Sequence, residues 1–151
     1  MKVINFIIII ALITACNPQN ENKEQPGSQP PAPETPSPIN CYSYTSAADT
    51  ITLKVVHVGQ SITGTLEYSL KEKDKNKGTI QGVMKDNILV ADYTFMSEGV
   101  QSVRQVAFKL EGNSFIEGYG ESFSENEKMK FRNVDSLTFS SSFKLTEVPC
   151  Q

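Results

Sequence analysis

The sequence predicts an all-β domain: an antiparallel up-and-down meander of about eight to ten strands, forming a small closed or nearly closed barrel, with a β-sandwich as the alternative. Three observations predict it. Side chains alternate between apolar and polar with a period of two, β-branched and aromatic residues are frequent, and turn signals recur about every dozen residues through 40–151. The short spacing between turns leaves little room for helix.

Residues 50–58 and 61–70 flank Gly59-Gln60, whose glycine suits the first central position of a type II′ turn. Pairing across it puts Ile51, Leu53, Val55 and His57 on one face with Ile62, Gly64, Leu66 and Tyr68. Thr52, Lys54, Thr63, Thr65 and Glu67 fall on the other face. Residues 78–85 and 88–95 flank Asp86-Asn87 and collect Ile80, Gly82, Met84, Leu89, Ala91, Tyr93 and Phe95. A third hairpin, turning at Gly112-Asn113, collects Val106, Phe108, Leu110, Phe115 and Tyr119. Each register yields one apolar face, as the side-chain period of a half-buried strand requires. Apolar stretches at 129–131 and 137–148 supply further strands.

Sheets of this kind remove their edges by closing. Gly64, Gly82, Gly118 and Gly120 lie inside predicted strands, where glycine marks sharp coiling or close approach. In architecture the meander resembles the small calycin-type barrels, in the lipocalin and avidin style. The lipocalin Gly-x-Trp signature has no counterpart, because the chain has no tryptophan. A barrel of about eight strands is wide enough either to fill with side chains or to hold one small ligand.

Two segments of different composition precede this domain. Residues 1–15 carry Lys2 and an apolar run, 6–13, that is shorter than the roughly 20 residues a bilayer span needs. They read as a signal peptide. The run ends in Leu12-Ile13-Thr14-Ala15-Cys16, which resembles the bacterial lipobox. That resemblance implies a mature chain starting at Cys16, carrying diacylglycerol and a further acyl chain such as palmitate, and anchored in the cell envelope. Asn17 in second position implies the outer membrane by the same resemblance. An ordinary signal peptide with an incidental cysteine is the alternative. Residues 16–39 hold seven of the eight prolines and no aromatic residue. Such a stretch buries too little apolar surface to offset its ordering entropy, and reads as a disordered tether. Its fully extended reach is roughly 70 Å.

Three cysteines make an odd count until Cys16 is assigned to lipid. Cys41 and Cys150 remain, at the two ends of the single domain 40–151. An exported compartment favours a disulfide between them. First and last strands are neighbours in a closed barrel, so the bond would sit at the seam.

Arg104, Glu117 and Glu121 share the predicted inward face of the third hairpin with Val106, Phe108 and Tyr119. Its register sets Arg104 opposite Glu121 and Glu117 opposite Phe108. Charges on an inward face are rare unless paired. Two roles fit: an ion pair plugging one end of the barrel, or a polar anchor for a ligand in a mostly apolar cavity. Tyr68, Tyr93 and Tyr119 would add hydroxyls to the second.

The net charge of −3 excludes a strong field for nucleic acid. The chain has one histidine, whereas structural zinc takes four Cys or His ligands. No nucleophile elbow is visible. No catalytic residue, metal or cofactor is therefore assigned. The alternating lysines and acids of 71–77 read as an exposed strand connection. The first functional reading is a monomeric, membrane-anchored binding module for a small apolar or amphipathic ligand or an envelope protein. A structural or assembly accessory with a filled barrel is the second, and an enzyme the third.

Overall fold

The computed structural model describes residues 38–151; the signal segment, Cys16 and most of the tether lie outside the described residues. Ten strands follow in order: β1 (Ile39–Thr45), β2 (Thr50–Val58), β3 (Ser61–Ser69), β4 (Asn76–Lys85), β5 (Ile88–Ser97), β6 (Val100–Glu111), β7 (Ser114–Tyr119), β8 (Ser122–Glu125), β9 (Lys128–Phe131) and β10 (Thr138–Val148). One turn of 3₁₀ helix, Val134–Ser136, precedes β10. Strands β1 to β7 run up and down in chain order. β10 lies between β7 and β1, and pairing of β5 with β6 closes the sheet. The result is an eight-stranded antiparallel barrel with the β8–β9 hairpin attached outside, which excludes the sandwich.

The turns explain the hairpins. Gly59 (φ 62°) and Gly112 (φ 63°) each supply the positive φ of a first central residue while the next residue does not, the II′ pattern. Asp86 and Asn87 are both left-handed (φ 50° and 63°), the I′ pattern. The resulting registers set Ile51 opposite Tyr68, Ile80 opposite Tyr93 and Phe108 opposite Glu117, as alternation predicts. Inward glycine lets β3 cross β2 closely. A Cβ on Gly64 would stand 1.8 Å from the carbonyl oxygen of Lys54.

The two ends of the barrel differ. The 59–60, 86–87 and 112–113 turns lie at one end, together with the start of β1 and the end of β10. Phe108, Phe115, Leu89, Ile62 and Leu145 fill the interior, with Tyr42 edge-on to Phe115 at 4.7 Å. At the first end the Cys41–Cys150 disulfide joins β1 to the residues following β10, with Cα atoms 5.3 Å apart. It sits beside the Cys41–Val148 pair, on the predicted seam. His57, half-buried opposite Ile62, lies near the same end.

At the other end the predicted register fails in one place. β6 pairs with β7 only through Ala107–Glu111 and Ser114–Gly118. Beyond Gly118 the strands part, and β9 runs parallel beside Val103 and Arg104. The side chains of Phe139 and Leu137 occupy the space where Cβ atoms on Gly118 and Gly120 would stand. After Tyr119 the chain leaves the barrel for the β8–β9 hairpin. An ion pair between Lys128 and Asp92 pins that hairpin. So does a 3.1 Å bond from the Phe131 backbone N–H to the Gln105 side chain. The expectation that Arg104 faces Glu121 is thus corrected. Glu121 lies past β7, exposed, and pairs with Arg132 at 3.5 Å.

Candidate ligand-binding mouth

Alternation brings five of the six ligand-site candidates to the open end. Tyr68 is the penultimate residue of β3, on the face of Ile62 and Leu66. Tyr93 of β5 pairs with Arg104 of β6, which shares its face with Val106 and Phe108. Glu117 projects from β7 and Tyr119 ends that strand. Glu121, the sixth, is not brought to the cluster.

Glu117 is only 5% exposed. Its carboxylate accepts a 2.6 Å hydrogen bond from the Tyr68 hydroxyl and a 2.9 Å bond from that of Tyr119. Burial raises its pKa above the ordinary carboxylate range, opposed by the two hydroxyl donors and the nearby Arg104 charge. Burial, followed by the Glu117 charge, pushes the Tyr68 hydroxyl well above its usual value. Tyr119, 47% exposed at the rim, is raised by the same causes.

Arg104 is held differently. Its guanidinium carbon lies 5.2 Å from the ring centre of Tyr68, 5.6 Å from that of Tyr93 and 5.5 Å from that of Phe95. Aromatic faces stabilise a cation electrostatically, but such contacts use none of its N–H donors. None of the ion pairs or side-chain hydrogen bonds among the described residues includes Arg104.

Three buried side-chain polar atoms among the described residues have no hydrogen-bond partner: Arg104 Nε, the Tyr93 hydroxyl and Asn76 Oδ1. All three belong to this end. Asn76 pairs with Tyr68, and Tyr93 with Arg104. An unpartnered buried group costs about 1–3 kcal/mol, so three in one place call for an explanation. Burial pushes the Tyr93 hydroxyl up to about 12, with Arg104 acting in the opposite direction. The hydroxyl is therefore a neutral group able to donate or accept.

Two clefts flank the cluster and share Arg104, Glu117 and Tyr119. One, of about 330 Å³, runs sideways through the parting of β6 and β7, bounded by Met129 and Phe131 of β9. The other, of about 320 Å³, opens at the barrel end between Tyr68, Asn76 and Phe143. Each is large enough for a small molecule. A wider groove of about 730 Å³ beside Cys41 and Val148 is walled by outward side chains such as Thr52 and Lys54. None of the three unpartnered atoms belongs to it.

Asn76 was hidden in the charged run 71–77. Its signal was parity: 76 continues the inward series of Gly78, Ile80 and Gly82. Phe143 escaped assignment because β10 is irregular between Phe139 and Lys144, which breaks the alternation there. No protein-family model, curated protein or solved structure matches the chain.

Proposed function

We propose that the chain is a bacterial envelope lipoprotein, anchored through lipid on Cys16, whose barrel binds a small amphipathic ligand at its open end. The observation that carries the binding reading is that Arg104 and Asn76, each with an unpartnered buried polar atom, line clefts of ligand size, Arg104 lining both. Polar groups few in number and set in apolar walls are the usual make-up of a small-molecule site. The filled interior between Phe108 and Leu89 confines the ligand to the mouth. The described chain enters the barrel at the disulfide end, opposite the mouth. The lipobox and the proline-rich tether support the anchor. The activity proposed is binding, not turnover.

Mass spectrometry of the full chain, extracted from the membranes of its own host, tests both halves. Under denaturing conditions the expected mass is that of a chain beginning at an acylated Cys16. Under native conditions an additional non-covalent mass should ride on it. A chain still carrying residues 1–15 without lipid would end the anchor reading. Identical native and denatured masses would end the ligand reading.

A further inference from the structure

We infer that the ligand is a small organic anion, an oxyanion head on a short apolar or aromatic body, and that Arg104 is the residue that receives the head. This rests on the mouth being a ligand site. An arginine in a largely buried position normally pairs with a carboxylate. Here the available carboxylate, Glu117, is taken by two tyrosine hydroxyls instead. Arg104 is left among three rings, with its charge stabilised and its hydrogen-bonding donors unspent. Tyr68 serves both ends of this division. Its hydroxyl occupies Glu117 while its ring carries Arg104.

The planar guanidinium presents donors in a fixed fork that matches carboxylate, sulfonate and phosphate oxygens. The one unpartnered buried hydroxyl among the described residues, that of Tyr93, belongs to the neighbouring strand and lines neither cleft. Asn76 Oδ1, an acceptor, suits an N–H or O–H on the body of the ligand rather than its head. Aromatic side chains on the cleft walls, Tyr68 and Phe143 of one and Phe131 of the other, suit a flat apolar body. Two carboxylates disfavour a second anion: Glu117, whose charge is partly met by two hydroxyl donors, and Asp74, which shares its cleft with Lys73.

The test compares two isosteres, 2-naphthoate and 2-naphthamide, by isothermal titration into the full-length lipoprotein in a non-ionic detergent, each against a detergent blank. The expected result is one naphthoate per chain, bound at least about tenfold more tightly than the amide. Arg104→Gln should reduce naphthoate to the affinity of the amide and leave the amide unchanged. If Arg104→Gln does not unfold cooperatively, Arg104→Lys carries the test. It keeps the charge but not the fork, and should lose most of the preference for naphthoate. Equal binding of the two isosteres, or an undiminished preference in Arg104→Lys, overturns the inference while the site stands. Binding of neither overturns the site as well.

Discussion

The Tyr68 hydroxyl donates a 2.6 Å hydrogen bond to the Glu117 carboxylate across the barrel interior, joining β3 to β7, strands that are not neighbours in the sheet. A hydrogen bond to a buried charged group contributes about 1.5–3 kcal/mol. Tyr68→Phe should therefore lower unfolding stability in urea by roughly that amount. Tyr119→Phe breaks the companion bond at the half-exposed rim, where water can replace the hydroxyl. It should cost less than about 1 kcal/mol. Equal losses in the two variants would mean that the interior bond has no special weight.

Stability should also carry the signature of Glu117 as pH changes. Its folded pKa is raised by burial above the ordinary value of 4.5. Between 4.5 and that raised value the folded state binds more protons than the unfolded state, so stability falls as pH rises. The contribution is fully present below 4.5 and is lost as pH passes through the folded value. Glu117→Gln cannot titrate. Wild type should thus lose stability relative to Glu117→Gln on going from pH 4 to neutrality, as chemical denaturation across pH would show. A difference that is flat, or that grows in favour of wild type, contradicts the assignment of a burial-raised carboxyl.

Closing the barrel seam with Cys41–Cys150 shortens the unfolded chain over a separation of 109 residues. The chain-entropy model gives such a loop about 4.7 kcal/mol, and removing a native disulfide from a small exported domain costs about 2–5 kcal/mol. The double variant Cys41→Ser, Cys150→Ser should fall in that range by denaturant titration. Alkylation of the folded protein should label neither cysteine until reductant is added.

The faces of the hairpins were legible in the sequence because each strand has one wet and one dry side. A slip of one residue would have put Leu53, Leu89 or Phe108 into water. The II′ turn at Gly59-Gln60 was legible for an equally local reason, whereas Asp86-Asn87 and Gly112-Asn113 were legible as turn positions without their types. The end of the β6–β7 ladder was not legible. Nothing local to Arg104 or Glu121 stops their pairing. Where the strands part, Phe139 and Leu137, far along the chain, pack into the positions left open by Gly118 and Gly120, while β7 stays paired with β10 through Tyr119. The site was legible as a set of polar residues sharing a face, but not as a division of labour. That division arises when four strands place Tyr68, Tyr93 and Phe95 around Arg104 and bring Glu117 to Tyr68.

Glycine positions allow the barrel curvature to be tested separately from the site. Gly64→Ala would place a methyl 1.8 Å from the backbone oxygen of Lys54, and relief requires breaking the β2–β3 ladder. Overpacking commonly costs about 1–3 kcal/mol, and this contact should exceed it. Gly118→Ala meets the Phe139 ring at 2.6 Å, a side chain that can move. Thermal unfolding should rank Gly64→Ala well below Gly118→Ala, and the reverse order would place the tight crossing elsewhere.

The mouth can hold an anionic ligand only if Arg104 stands apart from Glu117. A high-resolution crystal structure of the protein purified from its own host tests this directly. The predicted result is non-protein density in the clefts within hydrogen-bonding distance of the Arg104 guanidinium, with both tyrosine bonds to Glu117 in place. An Arg104–Glu117 ion pair closing the mouth, with no density beside it, would contradict the account and leave a plugged barrel.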